Sequence, residues 1–293
     1  MVSIGILTRN PSSYSSSSLL KAFKKLGVRG VPLRFRRFTA RVGFKPYVVI
    51  DGVDVLSEVD LLLVRPIGKD TLDKIIFRMD VLYRLSRLGL PVINSPSTIE
   101  KCVDKYRVLT ILEEAGLPVP RTVVSESIPP CLEALSSFGQ AVLKPIFGSR
   151  GLGVARLVDV EASRTIFRGL QVAGTVIYIQ EYMEHGTYDY RVLVVGGKIV
   201  GAMKRVSDGW KTNIAQGARA EPVKPSGDMA ELALKSCEAL GCEIAGVDIL
   251  SNPKGELYIT EVNSQPGWRG LQSVTSRDIA MEIAEYLVTR VKR

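Results

Sequence analysis

The chain has 293 residues, 46% of them hydrophobic, with four cysteines, one histidine and a formal net charge of +9. This length accommodates two or three domains with real cores, and no apolar run of about 18 residues is present to span a membrane. Cys102, Cys131, Cys237 and Cys242 show no CxxC spacing and His185 stands alone, which argues against zinc chemistry and against Ser-His or Cys-His catalysis; the cysteines read as reduced core residues of a cytoplasmic protein.

In chain order, "MVSIGILTRN" reads as a first strand rather than a signal peptide. "SSYSSSSLLKAFKKLG" follows as a serine-capped helix ending at Gly27. "GVRGVPLRFRRF", "KPYVVIDGVDV" and "VDLLLVRP" are strand-like, and "TLDKIIFRMDVLYRLSRLG" is an amphipathic helix closed by Gly89. These elements predict an α/β layer with a largely parallel sheet. From "SPSTIEK" a helix runs to Gly116, with Ser97 as N-cap and Glu100 at the capping-box position. "QAVLKPIFGSRGLGVARLV" reads as strand, glycine loop, strand, and "VIYIQEYM" as a further strand. Beyond Tyr188 come the strands of "YDYRVLVVGGKIVGAMKRV", the helix "DMAELALKSCEALG", the hairpin "EIAGVDILSNPKGELYITEVN" and a last helix from "SRDIAMEI" onward. Breaks near 95 and 184 divide the chain into 1–95, 96–183 and 184–293.

The hairpin carries the first chemistry. Residues i and i+2 of a strand share a face, so Glu261 and Asn263 point one way and Val262 into the core. A two-residue turn at Lys254-Gly255 would set Asp248 opposite Glu261. Asp248, Glu261 and Asn263 would then form a patch of oxygen donors suited to a hard cation, conditional on that register. The loop Gly148, Gly151, Gly153 after Lys144 lacks a GK[ST] motif and is not GxGxxG. It is either a phosphate cradle or a plain hairpin turn. Lys105, Lys144, Arg205 and Lys211 are the basic residues available to phosphates.

The ordered set "VDKYR", "VLKPIFGSRGLG", "IQEYM", "YDYRV", "MKR…WKTN", "AGVDIL", "EVN" resembles the ATP-grasp superfamily, in particular its RimK-like α-L-glutamate ligases. The resemblance covers nearly the whole chain. It implies an α/β (α+β) ATP-grasp fold. A pre-ATP-grasp α/β domain (1–95) would precede central (96–183) and C-terminal (184–293) ATP-grasp domains, with ATP between the last two. It further implies that Lys105 and Lys144 bind the nucleotide. Gly148, Ser149, Arg150, Gly151, Leu152 and Gly153 would close over the phosphates, and Gln180, Glu181, Tyr182 and Met183 would meet the adenine. Asp189 would lie near the ribose and acceptor side, Arg191, Arg205 and Lys211 would contact the γ- or acyl phosphate, and Asp248, Glu261 and Asn263 would hold Mg2+ (or Mn2+).

The chemistry implied is ATP-dependent activation of an acceptor carboxylate as an acyl phosphate, followed by attack of the amino group of L-glutamate. "FRMDVLYRLSRLGLPVINSPSTIEK" and "EVNSQPGWRGLQSVT" resemble members that act on tetrahydromethanopterin-type cofactors. Relatives acting on a ribosomal protein, on coenzyme F420 or on a lysine-biosynthesis carrier protein remain as alternatives, and a non-catalytic RNA- or nucleotide-binding protein is the alternative of another class. The metal carboxylates and the two lysines favour the ligase over nucleic-acid binding, and the family implies a homodimer or homotetramer. Trp268 either stacks on a flat ring such as a pterin or packs as a lid residue. Arg34, Arg36, Arg37 and Arg41 form either an acceptor-tail contact or the solvated face of a strand. Tyr14 and its serines line the acceptor entrance or simply cap a helix, and His185 reads as a surface residue.

Overall fold

The computed structural model describes residues 1–148 and 151–291. Its first third alternates β1 (Ser3–Thr8), α1 (Tyr14–Lys25), β2 (Arg29–Arg34), β3 (Phe38–Ala40), β4 (Val48–Ile50), β5 (Val53–Asp54), α2 (Val55–Glu58), β6 (Leu61–Val64), α3 (Leu72–Arg87) and β7 (Val92–Ile93). β2-β1-β6-β7 form one sheet, parallel throughout. β1 and β6 are buried along their full length, as a parallel sheet covered on both faces requires. β3, β4 and β5 make a small antiparallel sheet of their own.

The basic stretch 33–41 is therefore not one strand with one charged face. β2 stops at Arg34, a 3₁₀ turn carries Phe35–Arg37, and β3 begins at Phe38. The cause is the burial of Phe35, which turns the chain inward, while Asp51 takes Arg34 in a bidentate pair at 2.7–3.1 Å.

The helix expected from Ser97 to Gly116 is two helices, α4 (Pro96–Val103) and α5 (Lys105–Glu114). Ser95, not Ser97, is the N-cap of α4: its hydroxyl accepts from the Thr98 N–H, with Pro96 at the first helical position. Asp104 ends α4 in extended backbone and caps α5, accepting from Tyr106 and Arg107 N–H. This break makes Lys105 the first residue of a helix. Both helices pack on the C-terminal sheet through α8 and β16, described below.

Next come β8 (Thr122–Ser125), α6 (Ile128–Phe138), β9 (Ala141–Leu143), β10 (Ala155–Leu157), α7 (Val160–Val172) and β11 (Ile177–Glu181). The sheet order is β10-β9-β11-β8, antiparallel throughout, with its own core of Cys131, Leu135, Phe167 and Ile179. The glycine loop joins β9 to β10.

The last third holds β12 (Tyr188–Val195), β13 (Lys198–Val206), β14 (Arg219–Val223), α8 (Gly227–Leu240), β15 (Ile244–Ser251), β16 (Leu257–Asn263), α9 (Arg269–Gln272) and α10 (Ile279–Val291). The antiparallel sheet β14-β13-β12-β15-β16 has two unlike faces. Val192, Val194, Val247, Ile249 and Val262 pack under α8 and α5. On the other face, Leu193, Val195, Met203 and Ile244 join a core shared with Ile4, Ile6, Phe23, Leu61 and Leu63 of the first third and with α10. The same face also carries Asp189, Arg191, Arg205, Asp248 and Glu261, aligned by strand pairing. Asn94 ties the thirds together. Its side chain donates to Ile244 and Ser264 carbonyls and accepts from Glu243 and Ile244 N–H, at 2.5–3.1 Å.

Candidate active site

Asp248 stands directly opposite Glu261, but the turn that sets this pairing differs from the two-residue one expected. The chain reverses over Asn252–Glu256, with Asn252 accepting from Lys254 and Glu256 N–H. Near the turn the register is offset by one: Ser251 faces Leu257 and Ile249 faces Ile259. Thr260 is the extra residue of a β-bulge, and beyond it Asp248 meets Glu261 and Gly246 meets Asn263. Val262 between the two polar residues is fully buried.

The two carboxylates are held differently. Asp248 is buried and grips Arg191 bidentately, Nε–Oδ1 2.6 Å and Nη2–Oδ2 2.7 Å, while Arg205 Nη2 reaches its Oδ2 at 3.0 Å. Arg205 is buried too and also clasps Asp189 at 2.5–2.6 Å, whose Oδ2 accepts the Thr212 hydroxyl at 2.6 Å. Burial works against charge on Asp248, but the Arg191 and Arg205 charges outweigh it and hold its carboxyl below the ordinary range. Burial likewise opposes the Arg205 charge, and the Asp248 and Asp189 carboxylates overcome it. The Glu261 carboxylate has no hydrogen-bond partner among the described residues.

An open cleft of about 870 Å3 lies between the middle sheet and this charged face. Lys105 and Lys144 enter it from opposite elements. Lys105 Nζ donates to the Gly148 carbonyl at 2.8 Å, and Lys144 Nζ to Gln180 Oε1 at 2.6 Å. Burial lowers the Lys105 pKa and pushes Lys144 down to about 8, with the Glu261 charge opposing the shift in both. The two ammonium groups share the cleft with the Glu261 carboxylate, whose charge opposes the effect of burial without outweighing it. Gly151 and Gly153 have φ of +70° and +74°, the left-handed region that glycine takes without steric penalty.

Fourteen of the residues that the resemblance assigns to the site line this cleft: Lys105, Lys144, Gly148, Gly151, Leu152, Gln180, Glu181, Tyr182, Met183, Asp189, Arg205, Lys211, Asp248 and Glu261. Gly153 and Asn263 flank it, and Arg191 lies behind Asp248 rather than in the cleft. Ser149 and Arg150 fall outside the described residues. Gln180 is buried in the cleft wall, and the Glu181 side chain turns outward to Arg121 at 2.7 Å. Met183 lines the cleft, and its backbone N–H has no partner among the described residues.

One expectation is corrected and one open alternative is decided. His185 is not a surface residue: it is buried, with Nδ1 2.7 Å from the Met183 carbonyl and Nε2 3.0 Å from that of Trp210. Its ring lies near Tyr182, which meets Trp210 edge-on at 6.1 Å. Trp268 offers no open ring to a substrate, because it is 1% exposed and sits in the shared core beneath the Arg65 guanidinium. Thr212 and Trp210 went unnoticed in the sequence. In the segment "WKTN" only Lys211 carries a charge that points to phosphate.

The donor set suits a hard divalent cation. Glu261 is an unpartnered carboxylate facing the cleft, Asp248 lies beside it, and Asn263 follows two residues later on the same strand; oxygen donors of this kind bind Mg2+ or Mn2+. Among the described residues no group of three or more His, Cys, Asp or Glu forms a metal cage. Oxygens of a bound substrate would complete such a site, the usual habit of Mg2+ with phosphates.

Comparison with known proteins gives consistent matches. Residues 102–287 match the model of the RimK-like ATP-grasp domain. The tetrahydromethanopterin:alpha-L-glutamate ligase of Methanosarcina acetivorans is 32% identical over 98% of this chain and 99% of its own. That of Methanocaldococcus jannaschii is 37% identical over 81% and 82%. Among solved structures, the ATP-grasp ligase PsnB complexed with minimal precursor superposes with a TM-score of 0.78 at 21% identity, covering 99% of both chains. The RimK domain protein ATP-grasp from Sphaerobacter thermophilus gives 0.74 at 19% identity, covering 98% of this chain and 100% of its own.

Proposed function

The chain belongs to the RimK-like ATP-grasp family, and from that premise we propose that it is an ATP-dependent ligase joining L-glutamate to a carboxylate of a tetrahydromethanopterin-type cofactor. The observation that carries the reading is the convergence, on one cleft, of the Asp248–Glu261 pair with Lys105 and Lys144. Triphosphate, carboxylate and acyl phosphate are all anionic, and bringing them together needs positive charge and fixed donors. No side-chain nucleophile is required, in keeping with a chain whose one histidine is locked between two carbonyls.

In this reading Lys105 and Lys144 bind and orient the phosphates, released from Gly148 and Gln180, which stand in as acceptors in the free enzyme. Val142, Leu250 and Tyr182 give the adenine apolar walls, and the Met183 N–H donates to its ring edge. The glycine loop 148–153 covers the phosphates and keeps water from the activated carboxylate. Asp248, Glu261 and Asn263 would hold Mg2+, which would supply screening of charge on phosphate oxygens. Arg205 keeps the Asp248 carboxylate ionised and in place, and Lys211, which lines the cleft, would contact the transferred group. The division into 1–95, 96–183 and 184–293 belongs to this proposal, with α4 and α5 leaning on the C-terminal sheet. So does a homo-oligomer in solution. No described helix is long and apolar enough to cross a membrane.

The test is a labelling experiment with purified protein, Mg-ATP, radiolabelled glutamate and tetrahydromethanopterin. Label entering the pterin with stoichiometric ADP supports the reading. Label entering only the protein fraction of a cell extract moves the acceptor to a polypeptide, and ADP formation independent of glutamate removes glutamate as the amine.

A further inference from the structure

Three arginines are buried among the described residues: Arg65, Arg78 and Arg205. Arg78 has Asp70 at 2.6 Å, and Arg205 has Asp189 and Asp248. Arg65 has no carboxylate partner among the described residues. It follows β6 at the carboxyl edge of the parallel sheet, where ligands of such sheets collect. Its guanidinium lies 4.8 Å from the Trp268 ring centre and makes one hydrogen bond, Nη2 to the Pro266 carbonyl at 2.7 Å. Burial pulls its pKa down to about 10, with no acid to offset it.

The surroundings repeat the pattern. The Trp268 Nε1–H and the Gln265 amide nitrogen are buried without an acceptor. Arg269 lies over the Tyr14 ring at 5.7 Å, and Arg9, at the end of β1, lies against Gly68; neither has an acidic partner among the described residues. Buried donors left without acceptors are uncommon, and a surplus of them beside an uncompensated cation marks a place for an anion.

The location links this cluster to the cleft. A β-carbon on Gly246 would lie 3.2 Å from Pro266 Cβ and 3.7 Å from Arg191 Nε. Pro266, held by Arg65, thus borders Arg191, which grips Asp248. Gly246 pairs with Asn263. The cluster lies on the Asn263 side of the three oxygen donors, whereas Lys105 and Lys144 respond to Glu261. Phosphate-binding and arginine-rich regions flank the same metal-ligand candidates.

We infer that Arg65 and Arg269, with the Trp268 indole N–H, form a binding site for a substrate carboxylate other than the one being activated. This rests on the ligase reading, in which both glutamate and acceptor carry such a group. Planar guanidinium groups recognise carboxylates in bidentate fashion, and a ring stacked beneath Arg65 fixes its plane.

ADP formation by the full chain is to be measured while varying glutamate, tetrahydromethanopterin and ATP in turn, for wild type, Arg65→Lys, Arg269→Ala and Trp268→Phe. Losing a charge-assisted hydrogen bond should raise KM about 10- to 100-fold for one of the two carboxylate substrates, with kcat and the KM for ATP held. A rise for glutamate assigns the site to the amine substrate; a rise for the pterin assigns it to the acceptor. If wild type turns over both substrates and neither KM moves in Arg65→Lys or Arg269→Ala, the site is overturned while the ligase reading stands. If wild type neither turns over nor, by calorimetry, binds either compound, both fall together. Should Arg65→Lys lose its native circular dichroism, the exposed Arg269→Ala decides alone.

Discussion

Asp248 and Glu261 face each other across β15 and β16, yet only Asp248 is held by the protein. Two arginines neutralise Asp248, while Glu261 has no partner among the described residues. The two positions therefore report different things. Glu261→Gln should cut ADP formation by about 100-fold or more and leave the melting temperature nearly unchanged. Asp248→Asn should abolish activity and also destabilise by about 3 kcal/mol, because Arg191 and Arg205 are left facing a neutral group in a buried setting. Parallel assays of turnover and denaturant midpoint check both; equal stability loss in the two variants would contradict the assignment.

Chelation should separate catalysis from folding. With EDTA, ADP formation should stop, whereas thermal unfolding of the free protein should not shift, because Asp248 is already balanced by arginines. Differential scanning calorimetry with and without chelator tests this; a substantial drop in Tm would make the cation part of the fold.

Lys144 gives a pH dependence of definite sign. Its pKa is about 8 in the folded chain against an ordinary 10.5. As pH rises through 8 the free enzyme loses this charge, so kcat/KM for ATP should fall, by up to about tenfold per unit in the limit. Stability moves the other way. Between about 8 and 10.5 the unfolded chain binds the extra proton, so this contribution to stability rises with pH. Lys144→Arg should flatten the fall in kcat/KM, and an unchanged profile in that variant would assign the titration elsewhere.

Asn94→Ala should destabilise by about 3 kcal/mol or more. It leaves two N–H groups and two carbonyls between the first and last thirds without the partner that serves them all. Chemical denaturation measures the loss. Asn94→Asp should not rescue it, since a carboxylate cannot donate to Ile244 and Ser264 carbonyls.

Much of the site was legible because its signals are local. Period-two alternation placed Glu261 and Asn263 on one face, and the buried runs around Ile4 and Leu61 announced a parallel sheet. The Asp248–Glu261 pairing was anticipated through a turn one residue out of step, and the bulge at Thr260 cancelled that offset. Bulges leave little trace in sequence. The break at Asp104 is masked in the sequence because apolar spacing continues through it, although aspartate before a helix is a capping signal. α6 and α7 were missed between strands, despite Pro129 and Gly139 bounding one and Asp159 capping the other. The burial of Trp268 and the pairing of Arg191 and Arg205 with Asp248 depend on elements distant in sequence, and no local pattern encodes them.

The core shared by β1, β6, α1, β12, β13 and α10 also sets how the molecule comes apart. Residues from both ends of the chain fill one interior, while the middle sheet keeps its own. The termini are thus bound into a single cooperative unit, and a fragment beginning at residue 96 would expose half of that interior to water. Amide protons of β1 and β13 should exchange together and last, with those of β9 and β10 opening earlier and independently. The segment that must admit a nucleotide is the one whose opening leaves the rest of the chain folded.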